Sequence, residues 1–321
     1  MNPYTTTQTP APGSAPEAGA PKTGRSGSPD PAGRAGSGRR DRTRHGEVGL
    51  LTTLGHLALV VWAIIVIAPI LWTFLASFKN TAEIFSSPWT LPAELRWENY
   101  ARAWTEARVG RYFLNSVLVV SLSTFGTMLF GSMAAYVLAR YRFPGNRLIF
   151  YFFVSGLAFP VFLALVPLFF VVRNLGLLDT YTGLVLVYIA YSLPFTVFFL
   201  AAFFKTLPQS VAEAGLIDGC SHTRLFFQVM VPMAKPGLVS VTIFNVIGQW
   251  AQYQLPLVLL SNAKEKWVLT QGIADISVNA GYEADWSGLF AALTLAILPM
   301  IIVYAVFQRQ IQAGLTSGAV K

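Results

Sequence analysis

Hydrophobic positions in this chain come in long unbroken runs, not in alternation and not in narrow helical stripes. Six runs, near 50–76, 113–139, 148–172, 181–204, 237–262 and 286–307, reach the roughly 20 apolar residues that a helix needs to cross a bilayer. None contains Asp, Glu, Lys or Arg. The pattern predicts an all-α membrane protein with six transmembrane helices over a domain spanning 47–321. Pro160, Pro167, Pro194, Pro256 and Pro299 lie in or beside these runs, so several spans are expected to bend and to hand freed carbonyls to neighbouring protein or water. Residues 1–46 are rich in Pro, Gly, Ser, Ala and Arg and have no apolar period, which predicts a disordered tail. The first run begins near Gly49, too late and too long for a cleavable secretory signal.

Between the fourth and fifth runs the loop 205–236 reads as folded in its own right. Pro208 suits a first helical turn, and Ser210 with Glu213 has the spacing of a capping box. Gly219 can take the left-handed conformation that ends this helix, Ser221 can cap a second one, and Pro232 can close it. Asp218 fits the joint because a carboxylate is favoured near the positive end of the next helix. A bent helix pair is the expected product.

Composition agrees with the membrane reading: 54% of the 321 residues are hydrophobic and only 12% are charged, against a globular norm of roughly 25%. Charge placement then orients the chain. Residues 1–48 carry seven Lys/Arg, the loop around Arg140, Arg142 and Arg147 has three, and 205–236 adds Lys205, Arg224 and Lys235. The 262–285 loop sets two lysines against four acids. The positive-inside rule therefore predicts both termini and the helix pair in the cytoplasm. In the first external loop, 77–112, Trp97, Tyr100, Ala101 and Trp104 follow helical spacing and suit an interfacial helix.

One cysteine and three scattered histidines exclude a disulfide framework and give no metal-ligand cluster. No Ser/His/Asp set or paired carboxylate has catalytic spacing, so no enzyme is expected. The net charge of +8 sits in a tail and short loops, which argues against nucleic acid as a partner. The spans offer no ionisable relay for ion coupling, and no G-x-x-x-x-G-K-[ST] sequence cradles nucleotide. Energy for active transport must therefore enter through another subunit, and the helix pair is the part available for docking. In the fifth run Asn245, Gln249 and Gln252 fall on one helical stripe with Tyr253 beside it, while Gln254 faces away. Amides and rings suit the pathway of a neutral polyhydroxylated solute. The same amides could instead bond neighbouring helices together. Both readings stand at this point. Gly126, Gly131, Ser132 and Ala135 read as close helix packing.

Glu213-Ala214-Gly215, three residues, Gly219, nine residues, then Val229-Met230-Val231-Pro232 resembles the EAA loop of ABC importer permeases, E-A-A-x3-G-x9-I-x-L-P. Glu98-Asn99-Tyr100 with Trp104, Asn115-Ser116, Arg142 to Gly145, Ile217-Asp218-Gly219, Trp250 and the ending Gly314 to Lys321 are similar to the carbohydrate, maltose-permease-like branch. The resemblance implies a type I ABC importer permease bundle in a bacterial plasma membrane, with cytoplasmic EAA coupling helices. It implies a second homologous permease, two ATPase subunits carrying ATP and Mg, and an extracytoplasmic sugar-binding protein, with no cofactor on this chain. Glu213, Ala214, Gly215, Asp218 and Gly219 are then the ATPase-coupling residues, and a di- or oligosaccharide is the expected cargo. An energy-independent channel, or a membrane anchor for another complex, is the competing class.

Overall fold

The computed structural model of the protein describes residues 41–283 and 285–317. It divides into two units between Trp62 and Ala63, inside the first helix, α1 (Asp41–Ala76). That helix begins at Asp41, inside the stretch 1–46 expected to be tail; residues 1–40 lie outside the described residues. Arg42, Arg44 and His45 belong to it.

In the second unit, the C-terminal part of α1 keeps Ile64, Ile65, Ile67 and Leu71 exposed and buries Ala76, Ser77, Phe78 and Lys79 where it turns into the first loop. Two short helices, α2 (Thr81–Ser86) and α3 (Glu98–Thr105), follow, and α3 carries Tyr100, Ala101 and Trp104 of the stretch expected to be helical, with Trp97 at its N-cap. The frame is the pair α4 (Val109–Arg140) and α7 (Tyr181–Thr206). These two pack closely because α4 presents small residues. A Cβ on Gly126 would lie 2.5 Å from Ile189 Cδ1, and one on Gly131 would lie 2.5 Å from Thr196 Cγ2.

Between them runs a bent pair, α5 (Asn146–Leu157) and α6 (Val161–Asn174), at 106° to each other. The third run is thus no single straight span. Pro160 stands at the N-cap of α6, where its missing N–H costs nothing, while Pro167, Pro194 and Pro299 stay inside continuous helices. After α7 come α8 (Gln209–Ile217) and α9 (His222–Met233), then α10 (Lys235–Trp250), bent 80° from α9 at Ala234. The fifth run also breaks, at Ala251–Tyr253, before the short α11 (Gln254–Leu259). The chain finishes with α12 (Leu269–Glu283) and α13 (Trp286–Ser317).

Buried side chains collect at both ends of α4. At its C-terminal end Ala135 and Tyr136 pack with Phe204, Leu225, Phe226 and Met230, which seats the α8–α9 elbow. At its N-terminal end Val109 and Tyr112 pack with Leu269, Ala291 and Ala292, beneath the loop helices. The elbow and the 262–285 loop therefore sit at opposite ends of one helix.

Candidate functional site

The elbow is assembled by local rules. Leu207, preceding a proline, is extended (ψ 145°) and ends α7, and its carbonyl accepts from Arg140 Nη2 at 2.7 Å. Pro208 then occupies the N-cap of α8, so Ser210 falls inside the first turn and cannot cap it. The capping box is corrected accordingly: Glu213 Oε1 accepts from Gln209 Nε2 at 2.9 Å, one turn back on the same helix. The far end of α8 behaves as expected. Gly219 is left-handed (φ +80°), the Cys220 N–H reaches Gly215 O at 2.9 Å and the Gly219 N–H reaches Leu216 O at 3.1 Å, a Schellman closure. Ser221 Oγ accepts from the Arg224 N–H and starts α9.

A turn of wider π geometry, Leu225–Met230, occupies the middle of α9 just before Pro232, which has no N–H to continue the ordinary ladder. It turns Leu225, Phe226 and Met230 into the core. A Cβ on Gly215 would lie 2.8 Å from Leu225 Cδ1, so glycine here lets α8 lie close over that leucine. Glu213, Ala214, Asp218 and Gly219 all face solvent, with Gly215 partly covered. Sequence reasoning left Ile217 out of this set, yet it is 86% exposed at the tip of the elbow. An isoleucine between polar joints in a charged loop was the available signal.

The amides of the fifth run lead to a second assembly. Asn245 and Gln249 lie on α10 and are buried. Gln249 Oε1 accepts from Ser123 Oγ (2.6 Å) and Thr124 Oγ1 (3.0 Å) of α4, and its Nε2 donates to Ser192 Oγ of α7 (3.0 Å). Asn245 Nδ2 donates to Thr196 Oγ1 (2.9 Å). These bonds tie three helices into one polar layer. Gln252 is not on the helical stripe, because α10 ends at Trp250; it nonetheless reaches the same cavity of about 380 Å³ as Asn245 and Gln249. Tyr253 is 38% exposed and stands outside that lining. The hydroxyl partners Ser123, Thr124, Ser192 and Thr196 were missed, being 49 or more residues away in sequence.

At the opposite end of α4 the loops close through ion pairs, Arg102 with Asp285 (3.4 Å) and Lys264 with Asp275 (2.8 Å). The Asp275 hydrogen bond raises the Lys264 pKa above its ordinary value, against a smaller opposing effect of burial. Lys79 is buried and donates to Ser87 O at 2.8 Å, pinning the start of the first loop.

Residues 127–317, which hold the polar layer's α7 and α10 partners and the whole elbow, match the family model described as binding-protein-dependent transport system inner membrane component. The chain belongs to that family. It is a transport subunit of a multi-pass membrane type and not an enzyme. The chain is 53% identical over 265 residues to the diacetylchitobiose uptake system permease protein NgcG of Streptomyces coelicolor, covering 83% of this chain and 87% of that one. It is 34% identical over 253 residues to the trehalose transport system permease protein SugB of Mycobacterium tuberculosis, 79% and 92% of the two chains. In fold it is similar to a bacterial ABC transporter involved in the import of the acidic polysaccharide alginate, with a TM-score of 0.71 at 23% identity over 86% of this chain and 99% of that one. For this permease the matched residues run from the C-terminal half of α4 through the elbow to α13.

Proposed function

We propose that this permease forms one half of the membrane passage of an ATP-driven importer for a neutral di- or oligosaccharide. A second permease completes the passage, an extracytoplasmic binding protein delivers the sugar, and two partner ATPases hold ATP and Mg. The single observation that carries this reading is the elbow: a rigidly closed helix pair seated on the ends of α4 and α7, presenting Glu213, Ala214, Ile217, Asp218 and Gly219 outward. Work applied there reaches the bundle through Leu225, Phe226 and Met230, which are buried against Tyr136 and Phe204. The elbow and both termini face the cytoplasm, in keeping with the basic residues Arg142, Arg147, Lys205 and Arg224 around it. Asn245, Gln249 and Gln252 belong to the wall of the passage. The 53% identity to a diacetylchitobiose permease supports a disaccharide of that kind as cargo.

Glu213→Lys tests the reading. Reversing an exposed charge at a docking face should lower uptake of labelled disaccharide by roughly tenfold or more while the chain still inserts and assembles. Uptake at the parental rate would favour an energy-independent channel instead.

A further inference from the structure

Three interruptions of helical geometry meet at one place. The α5–α6 bend brings Gly156 and Phe159 to the cavity of about 380 Å³, α7 brings Pro194, and the break after α10 brings Gln252. Irregular backbone at membrane depth is tolerated where it is buried in protein or lines a cavity, and broken helices commonly frame solute sites in transporters. Among the described residues no Asp, Glu, Lys, Arg or His lines this cavity.

The polar groups there divide into two kinds. Gln249 is bonded at both ends to hydroxyls of α4 and α7 and serves as fixed wall. Gln252 is different: its Oε1 accepts only from the Gln254 N–H at 3.3 Å, and among the described residues nothing accepts from its Nε2. Tyr191 (51% exposed) and Phe159 (60% exposed) line the same cavity and offer open ring faces. Open rings beside a free amide, with no charge, match the apolar faces and hydroxyls of an uncharged sugar, whereas a uronate would find no cation.

We propose that this chain itself carries a saccharide-binding site, formed where its two broken spans and α7 meet, with Gln252 as polar contact and Tyr191 and Phe159 as stacking faces. The proposal rests on the importer reading and adds that the sugar touches this subunit.

Gly248 provides the test, because it lines the cavity and a Cβ built there meets nothing within 4 Å. Side chains can therefore be grown into the space from an undisturbed helix. The Gly248→Ala, Gly248→Leu and Gly248→Phe series is reconstituted with partner permease, ATPases and binding protein in proteoliposomes, and radiolabelled neutral disaccharide taken up per ATP hydrolysed is measured. The ratio should fall stepwise with size, by roughly tenfold at Phe, the equivalent of about 1.4 kcal/mol. Gln252→Leu, which keeps volume and removes the amide, should lower it as well and decides the matter if Gly248→Phe fails to assemble. A parental ratio in Gly248→Phe, or in Gln252→Leu where that variant must decide, overturns the site and leaves the importer reading standing. Parental uptake in Glu213→Lys removes both.

Discussion

Both ends of the Gln249 amide are held inside the bundle, by Ser123 and Thr124 on one side and Ser192 on the other, with Asn245 bonded to Thr196 a turn away. Hydrogen bonds between membrane helices average about 0.6 kcal/mol each, so Gln249→Ala, which removes three, should cost about 1–2 kcal/mol. Thermal denaturation of the purified complex in detergent reads this loss. An unchanged melting temperature with abolished uptake would move Gln249 from helix pairing to sugar contact. The helical spacing of Asn245 and Gln249 was legible because both lie within α10. Their partners were not, since the hydroxyls arrive from helices whose register on α10 is set only by packing. Gln252 shows the opposite case: it reaches the cavity for a reason unrelated to its place in a 3.6-residue stripe.

The elbow is where local chemistry decides an element almost unaided. Gly219 has φ +80° and open space around an added Cβ, so Gly219→Ala isolates backbone strain from any clash. A left-handed alanine costs about 1–2 kcal/mol, and Gly219→Asn less, because asparagine's short polar side chain can bond locally. Uptake should therefore fall in the alanine variant and be largely restored in the asparagine variant; equal activity in the two would mean that the joint does not need this conformation. Gly219 and Ser221 were readable because each acts within a few residues. The capping box failed for a similarly local reason, as Pro208 took the cap position and left Ser210 two residues inside the first turn. Prolines within the spans were harder. Pro160 starts a helix after a break and Pro194 lies inside one, although both sit in apolar sequence.

At the scale of the whole molecule the question is which side of the membrane each end of α4 occupies. With 32 residues α4 is about 48 Å long. A hydrocarbon core of about 30 Å cannot contain it. The elbow at its C-terminal end and the Lys264–Asp275 loop at its N-terminal end must then face opposite compartments. Charge in the loops predicts the elbow inside, and the chain supplies its own probe, because Cys220 is the single cysteine in 321 residues and is partly exposed at the joint between α8 and α9. A membrane-impermeant maleimide should label it in inverted vesicles stripped of ATPase and leave it untouched in right-side-out vesicles. Adding the ATPase back should slow the labelling, since the joint lies beside Glu213 and Asp218 on the face proposed to dock. Labelling from the outer side would put the elbow beyond the reach of cytoplasmic ATP, and a coupling device placed there could transmit nothing to α4 and α7.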